Sequence, residues 1–310
     1  MKINIISRDN AAGLTAETEI LTEVFNSQGW EVFFSDYKSL RRFMFWSYKK
    51  YDVNIFMQWV NPAWFKFAKY NILIPNPEWF KVKWSSKISK FDRVFCKTNS
   101  AVELFKEKNH NTIFTGFTSK NRLLPNVKKN KGQWLHVAGK SKLKGTDVII
   151  ETWLKNPHFP HLTILQKNLD GTIPSAPNIT YISEHISEDY LIKLMNKCEV
   201  HLCPSAAEGF GHYIGEALSC GAFVITTDAP PMNELITPTR GLLIPPVEKR
   251  KMKFSYAHYI DRKGLEKAVH EALGIENREQ FMHNGLEYYH SSGDAFRKKI
   301  SSEINKLVNN

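Results

Sequence analysis

Two carboxylates, Glu208 and Glu216, lie eight positions apart around a glycine-rich turn in the run EGFGHYIGE. The apolar run that ends at Cys203 predicts a strand, and residues 212–219 predict a helix that begins after Gly211. Free backbone N–H groups and the positive end of the helix dipole form a natural seat for phosphate at such a point. Glu216 would lie about one turn into the helix, where a carboxylate can accept hydrogen bonds from two neighbouring hydroxyls, as on a ribose. Glu208, in the loop, would face whatever group lies beyond the phosphates.

The passage around the two glutamates resembles the donor-site segment of retaining GT-B glycosyltransferases, family 4 (group 1) in particular. It contains the PS-x-x-EGFG opening, the E-A-L-x-x-G helix, the VITTD strand and the P-x-x-ELI turn. The resemblance is strong from about 133 to 245 and weaker before. It implies an α/β protein of the GT-B fold, in which two Rossmann-like domains with parallel sheets face across a cleft. It also implies that a sugar moves from a nucleotide sugar to an acceptor with retention of anomeric configuration.

The resemblance assigns roles around the donor. Glu208 would orient sugar hydroxyls and Glu216 would hold the ribose. The run HVAGKSKLKGTD (136–147) resembles the segment that grips the donor diphosphate. Lys144 matches best, whereas Lys140 stands where arginine is usual and its spacing to Lys144 is short, so Lys142 is an alternative to Lys140. Lysines here supply compact positive charge for a leaving phosphate.

Further contacts are expected on the same grounds. His185 stands where the family lines the nucleotide base. The family usually places a histidine of the first domain near the reacting sugar, but this sequence has none before His110. Asn76 or Glu78, in the comparable region, is expected to contact the sugar or the acceptor, unless the segment is an ordinary proline turn. The residues expected to offer backbone to the donor are Gly13, Gly211, His212, Tyr213 and Ile214.

No metal or other cofactor is expected. In the route usually proposed for the resembled family, the leaving phosphate takes the acceptor proton on the same face of the sugar. That route needs neither a protein nucleophile nor a metal, and the sequence contains no evident metal-binding carboxylate cluster.

The chain of 310 residues is long for one core and suits two domains. Short apolar strands alternate with helices in two successive series, which predicts parallel sheets covered on both faces. We expect an acceptor-binding domain over 1–128, a nucleotide-sugar-binding domain over 129–283, and a helical segment over 284–310 that packs back on the first domain. The predicted helices include 63–69, 146–155, 188–197 and 212–219, and the predicted strands include 133–138 and 179–182.

The net charge of +11 is concentrated in the first half, because residues 1–130 alone carry +10. The run SLRRFMFWSYKKY predicts a helix around 40–51. Its outer face would carry Arg41, Arg42, Phe45, Trp46, Lys49 and Lys50. The aromatic and basic runs 64–67 and 79–84 continue the pattern, which is typical of an interface with an anionic membrane that carries a lipid-linked acceptor. A single-stranded nucleic-acid track, or aromatic residues that simply belong to the core, are alternatives.

The composition and the lack of targeting signals favour a cytoplasmic protein, peripheral at the inner membrane face if the basic domain docks there. No run of 18 apolar residues is present, and the four cysteines form no CxxC pair, so reduced thiols are expected. Two other functions remain open: a sugar-nucleotide epimerase of the same fold, and a nucleic-acid-binding or base-glycosylating protein. The sequence does not identify the sugar, the nucleotide or the acceptor.

Overall fold

The computed structural model describes residues 1–8, 13–38, 50–167 and 175–309. The chain divides into two compact units. The first unit comprises Met1–Ser119, Met252–Ser255 and Ser291–Asn310, and the second comprises Lys120–Lys251 and Tyr256–His290.

The first unit is built, within the described residues, on a sheet of six parallel strands in the order β2-β1-β3-β4-β5-β6. Its central strands are almost continuously apolar and buried, as expected when helices cover both faces of a parallel sheet. The strands are β1 (Lys2–Ser7), β2 (Glu31–Asp36), β3 (Tyr51–Met57), β4 (Ala68–Ile74), β5 (Arg93–Cys96) and β6 (Thr112–Phe114).

The helices of the first unit follow its strands. Helix α1 buries an apolar stripe that includes Leu14, Leu21 and Phe25, and α3 is capped by the Thr98 hydroxyl, which accepts from the Ala101 N–H. The helices are α1 (Gly13–Ser27), α2 (Ser85–Ile88) and α3 (Asn99–Phe105), with 3₁₀ turns at Pro62–Phe67 and Val82–Trp84.

The second unit repeats this architecture with strands in the order β12-β11-β10-β7-β8-β9, all parallel. Its central strand β10 is buried at all six positions. The strands are β7 (Asn130–Gly139), β8 (His161–Gln166), β9 (Ile179–Ile182), β10 (Cys198–Cys203), β11 (Phe223–Thr227) and β12 (Gly241–Ile244). An antiparallel hairpin, β13 (Glu248–Lys251) and β14 (Tyr256–Tyr259), follows them.

The helices of this second series cover both faces of its sheet, and Trp134, Trp153 and Phe223 lie in the core beneath. The helices are α4 (Thr146–Lys155), α5 (Glu188–Lys197), α6 (His212–Ser219), α7 (Met232–Leu235), α8 (Arg262–Gly274) and α9 (Glu279–Asn309). Helix α9 begins in the second unit, and its residues from Ser291 onward belong to the first.

The predicted α/β class with parallel sheets is confirmed. The helices predicted at 146–155, 188–197 and 212–219, and the strand at 179–182, have the bounds expected from the sequence. The short helix predicted over 63–69 is a 3₁₀ helix over Pro62–Phe67, and its predicted end is wrong, because β4 begins at Ala68.

The predicted surface of basic and aromatic residues, at 40–51, 64–67 and 79–84, is only partly covered by the described residues. Most of the predicted helix around 40–51 lies outside the described residues, and Tyr51 begins β3 instead of ending a helix. In the two runs that continue the pattern, the structure places most aromatic rings in the core. Trp64, Phe67, Phe80 and Trp84 are buried, whereas Trp79 is 46% exposed. Their packing, not an interface, therefore accounts for most of these aromatic residues.

The four cysteines are free and buried. Burial raises the pKa of Cys96 to about 12 and the pKa values of Cys198 and Cys220 to about 11, so these thiols are protonated at neutral pH. Along the described part of the chain, no helix combines the length and the apolarity needed to cross a membrane.

Candidate functional site

Most of the predicted donor residues of the second unit lie in loops that follow strands of one parallel sheet. Lys140 and Lys144 follow β7, His185 follows β9, and Glu208 and Gly211 follow β10. Because the strands are parallel, their carboxyl ends lie at one edge of the sheet, where ligands bind in open α/β folds.

At this edge, four polar side chains form one group, which we call the Lys144 cluster: Lys144, Ser205, Glu208 and Tyr213. Lys144 Nζ lies 2.5 Å from Glu208 Oε1 and 3.3 Å from the centroid of the Tyr213 ring. Ser205 Oγ donates to the same Glu208 oxygen at 2.5 Å and lies 2.5 Å from Tyr213 Oη. Burial, together with the neighbouring Cys203 and Glu208, raises the pKa of Tyr213 well above its ordinary value. The protonated phenol can therefore donate to Ser205, which donates to Glu208.

A glycine lets the loop that carries Lys144 pass close to the loop after β10. Gly145 has φ +71°, and a Cβ atom there would lie 2.6 Å from the carbonyl oxygen of Pro204. The two loops are also joined by the Ala206 N–H, which donates to the carbonyl of Leu143 at 2.8 Å. Only glycine satisfies both the left-handed backbone and the close approach.

A buried histidine holds the start of α4 against the sheet. His136 is fully buried, with Nδ1 2.8 Å from the carbonyl oxygen of Leu202 and Nε2 2.9 Å from Thr146 Oγ1. Burial lowers the pKa of His136 to about 4, so the ring is neutral at pH 7. Nδ1–H then donates to the carbonyl, and Nε2 accepts from the threonine hydroxyl.

Gly211 is the N-cap residue of helix α6; it has φ +101° and lies so close to α7 that a Cβ atom would be 3.0 Å from Leu235 Cδ1. His212 and Tyr213 form the first turn, as predicted. Ile214 was expected to offer its N–H to the donor, but that N–H already donates to the carbonyl of Gly211 at 2.9 Å. This internal bond makes Ile214 a poorer phosphate donor than the sequence suggested.

Glu216 faces an arginine that the sequence reasoning missed. Arg122 Nη2 and Nε lie 3.3 and 3.4 Å from Glu216 Oε1, and Arg122 Nη1 contacts Glu188 Oε1. Burial lowers the pKa of Arg122, but the carboxylates of Glu216 and Glu188 outweigh it, and the net effect is a raised pKa. Arg122 is 94 positions from Glu216 and belongs to no recognisable motif, so no sequence signal pointed to it.

The other predicted donor contacts are more exposed. Lys140 and Lys142 lie in the turn after β7 and are exposed. His185 is also exposed, and its Nδ1 lies 3.1 Å from Lys167 Nζ, which follows β8. Of the candidate lysines, Lys144 is thus the one that the structure brings to Glu208.

In the first unit, the two residues proposed to contact sugar or acceptor are buried. Asn76 is 7% exposed and Glu78 is 6% exposed. The Asn76 side chain accepts from Lys97 Nζ and donates to Gln58 Oε1 at 3.3 Å. Lys97 is also buried and pairs with Glu17 of α1. The side chain of Asn76 is therefore committed to a buried network that sequence reasoning did not anticipate.

Gly13, the first residue of α1, has open space where a side chain would begin, since a Cβ atom there would meet no atom of the described residues within 4 Å. The packing of the described part of the chain therefore does not require glycine at this position.

Comparison with known proteins agrees with this architecture. Residues 176–273, which include β9, α5, β10 and α6, match the profile of the family described as Glycosyl transferases group 1. No curated protein matches the chain significantly.

Several solved structures share the fold along nearly the whole chain. Sucrose-phosphate synthase from Thermosynechococcus elongatus superposes with a TM-score of 0.75 at 15% identity, covering 99% of this chain and 98% of that one. HepE from Anabaena, in complex with UDP and glucose, superposes with a TM-score of 0.71 at 15% identity, covering 99% of this chain and 100% of that one. An E. coli structure described as trehalose-6-phosphate bound with UDP-2-fluoro glucose superposes with a TM-score of 0.68 at 11% identity, covering 98% of this chain and 99% of that one.

Two α/β units, each with a sheet of parallel strands, and these similarities together define a protein of the GT-B fold. The resemblance to group 1 glycosyltransferases is confirmed over residues 176–273, the segment that contains Glu208 and Glu216.

Proposed function

We propose that this protein is a glycosyltransferase that moves a sugar from a nucleotide-sugar donor, held by the second unit, to a glycan, glycolipid or lipid-linked acceptor. The observation that carries the proposal is the Lys144 cluster at the start of α6. It places a lysine and a carboxylate beside a helix N-terminus. Glu216 lies in that helix, within the segment that matches group 1 glycosyltransferases.

Each element of this site suits one part of the donor. The positive end of α6 and the Lys144 ammonium bind the diphosphate, with Lys140 as a second, mobile cation. Glu208 accepts hydrogen bonds from sugar hydroxyls, Glu216 accepts those of the ribose, and His185 lies beside the base. Lys144 has three N–H donors, so it can remain bonded to Glu208 while it also contacts a phosphate oxygen.

The transfer proceeds with retention of configuration. The bond between the anomeric carbon and the phosphate oxygen breaks, and its electron pair leaves with the nucleoside diphosphate. The acceptor hydroxyl attacks the same face and passes its proton to a phosphate oxygen. Lys144 and the α6 N-terminus stabilise the charge that develops on the diphosphate, which is the step where fixed positive charge lowers the barrier. No protein nucleophile and no metal take part in this scheme.

The acceptor is assigned to the first unit. The +10 charge of residues 1–130 supports an anionic acceptor or an anionic membrane surface that carries one. Asn76 and Glu78 lie just beyond the carboxyl end of β4. That segment is the proposed acceptor contact, although the buried side chains favour contact through its backbone. The proposed location is the cytoplasm, with peripheral attachment at the inner membrane face.

The test is a panel of UDP-, ADP- and GDP-sugars, read first by thermal shift. A donor at 100 times its dissociation constant should stabilise the fold by about 2.7 kcal/mol. Release of nucleoside diphosphate that depends on an added glycan or lipid acceptor, and that persists in a chelator, supports the full proposal. Conversion of the nucleotide sugar without acceptor and without mass change would indicate an epimerase instead. Salt-dependent oligonucleotide binding, with no response to any nucleotide sugar, would indicate the nucleic-acid alternative.

A further inference from the structure

Arg122 is anchored to α6 and α5 through its backbone as well as its side chain. Its N–H donates to Ser219 Oγ at 3.0 Å, and its carbonyl accepts from Asn196 Nδ2 at 2.6 Å. The side chain is only 12% exposed. An arginine held in this way has already lost most of its conformational freedom, so its guanidinium acts as a fixed group.

The fixed guanidinium presents one edge to Glu216. Both Nε and Nη2 approach the same oxygen, Oε1, at 3.4 and 3.3 Å. These distances exceed the roughly 2.7–2.9 Å of an optimal charge-assisted bond. The arginine therefore orients the carboxylate without using its full accepting capacity, which amounts to about four lone-pair sites.

A glutamate side chain on a helix surface has three rotatable bonds and ordinarily samples several rotamers. Glu216 is 19% exposed, so an unpaired carboxylate here would be partly desolvated and mobile. A partner that holds Oε1 directs the second oxygen, Oε2, in a constant direction from α6. Pre-organisation of this kind lowers the entropic cost of binding a ligand.

We propose that Arg122 is the positioning residue for the nucleoside end of the donor site: it holds Glu216 so that the carboxylate accepts the 2′ and 3′ hydroxyls of the donor ribose. The proposal rests on the proposed function, because it requires a nucleotide in the second unit. It adds to that function a residue outside the matched segment 176–273, and it predicts that recognition depends on the ribose hydroxyls.

The second unit contains a matched pair for comparison. Arg278 Nη2 lies 2.8 Å from Glu199 Oε2, with side chains 11% and 5% exposed. Glu199 is the second residue of β10, at the opposite end of that strand from Glu208. Replacement of Arg278 thus disturbs an arginine of nearly the same exposure as Arg122, paired with a more deeply buried glutamate, away from the candidate donor site.

The experiment titrates UDP, ADP and GDP into wild type by calorimetry, and then uses the nucleotide that binds and its 2′,3′-dideoxy analogue. Arg122→Lys keeps the charge but loses the planar fork. We expect it to weaken binding of the ribonucleotide by about three- to tenfold, and to leave binding of the dideoxy analogue unchanged. In the background of Glu216→Gln, Arg122→Lys should have no further effect, because the two residues act as one unit. Arg278→Lys should lower the melting temperature without changing either affinity.

If wild type binds none of the three nucleotides, the proposed function fails and the role of Arg122 fails with it. If wild type binds but Arg122→Lys has unchanged affinity, or loses affinity equally for the ribose and dideoxy ligands, Arg122 is merely structural and this inference alone is overturned. Should Arg122→Lys be unstable, Glu188→Gln is the second variant, because Glu188 is 62% exposed and also holds the guanidinium. A smaller loss that requires the ribose hydroxyls is then expected, and unchanged binding counts against the proposal.

Discussion

Lys144 Nζ lies 2.5 Å from Glu208 Oε1 across a gap of 64 residues in the sequence, and each side chain is 14% exposed. The pair joins the loop after β7 to the loop after β10, and the Tyr213 ring lies 3.3 Å from the ammonium group. The ring face, the carboxylate and the proposed diphosphate all attract a cation. A fixed cation at the start of a helix is suited to stabilise a leaving phosphate.

Replacement of Lys144 by alanine should reduce turnover much more than stability. Loss of a fixed charge that stabilises the leaving group costs about 2–4 kcal/mol of barrier, or about 30- to 1000-fold in kcat. Steady-state kinetics and thermal unfolding of the same preparation measure both quantities. Lys155→Ala is the control, because Lys155 forms an exposed pair with Glu151 at the far end of α4. Full activity of Lys144→Ala would transfer the role to Lys140 or Lys142.

Replacement of Glu216 by alanine should weaken donor binding while the fold persists. Two hydrogen bonds to a charged group are lost, at about 1.5–3 kcal/mol each, which corresponds to roughly a 100-fold or greater increase in Kd. Calorimetric titration of the nucleotide sugar measures the effect, and Glu151→Ala, on the exposed side of α4, is the control. Equal donor affinity in Glu216→Ala and wild type would remove this residue from the site.

Gly145 should be far less tolerant of alanine than Gly221. Both have positive φ, +71° and +60°, but a Cβ atom at position 145 would lie 2.6 Å from the Pro204 carbonyl oxygen, whereas at position 221 it would meet no atom of the described residues within 4 Å. Alanine at 221 carries only the backbone strain, about 1 kcal/mol, and alanine at 145 adds a clash that raises the loss to about 2–4 kcal/mol. Urea unfolding of the two variants measures the difference, and similar losses would contradict the close approach seen here.

The buried His136 should make the protein lose stability in weak acid. Its pKa is about 4 in the folded protein, against about 6.5 when unfolded. Below pH 6.5 the unfolded chain takes up a proton that the folded ring resists. The contribution of the neutral His136 ring to the free energy of unfolding is therefore complete above pH 6.5, and it is lost as the pH falls from 6.5 through 4. Between pH 7 and pH 5 the loss from this residue is about 2 kcal/mol.

His136→Gln, which cannot take up this proton, should be less stable than wild type at pH 7 but should show a smaller decrease between pH 7 and pH 5. His201, whose pKa burial lowers to about 3, keeps its own contribution in that variant. Urea midpoints at the two pH values make the comparison. The exposed His283, changed to glutamine, should retain the decrease of wild type. If His136→Gln loses as much stability as wild type does on acidification, the neutral buried ring is not the cause.

The sequence by itself determined the elements that carry the candidate site. Short apolar runs alternating with helices require parallel sheets, because each strand must be buried on both faces. Residues 212–219 form the predicted helix, and Gly211 lies at its start. These features depend on interactions between residues a few positions apart, and local sequence patterns predict such interactions well.

Only the tertiary structure decided which distant side chains meet. Arg122 reaches Glu216 across 94 positions, and Lys97 reaches Glu17 across 80. Such contacts depend on the order of strands in the sheet, and the spacing of residues along the chain does not specify that order. Burial follows the same rule, since Trp64 and Trp84 lie in the core while Trp79 is half exposed. An aromatic residue among lysines is equally compatible with a surface or a core position. The packing of the surrounding helices and strands determines which of the two it occupies.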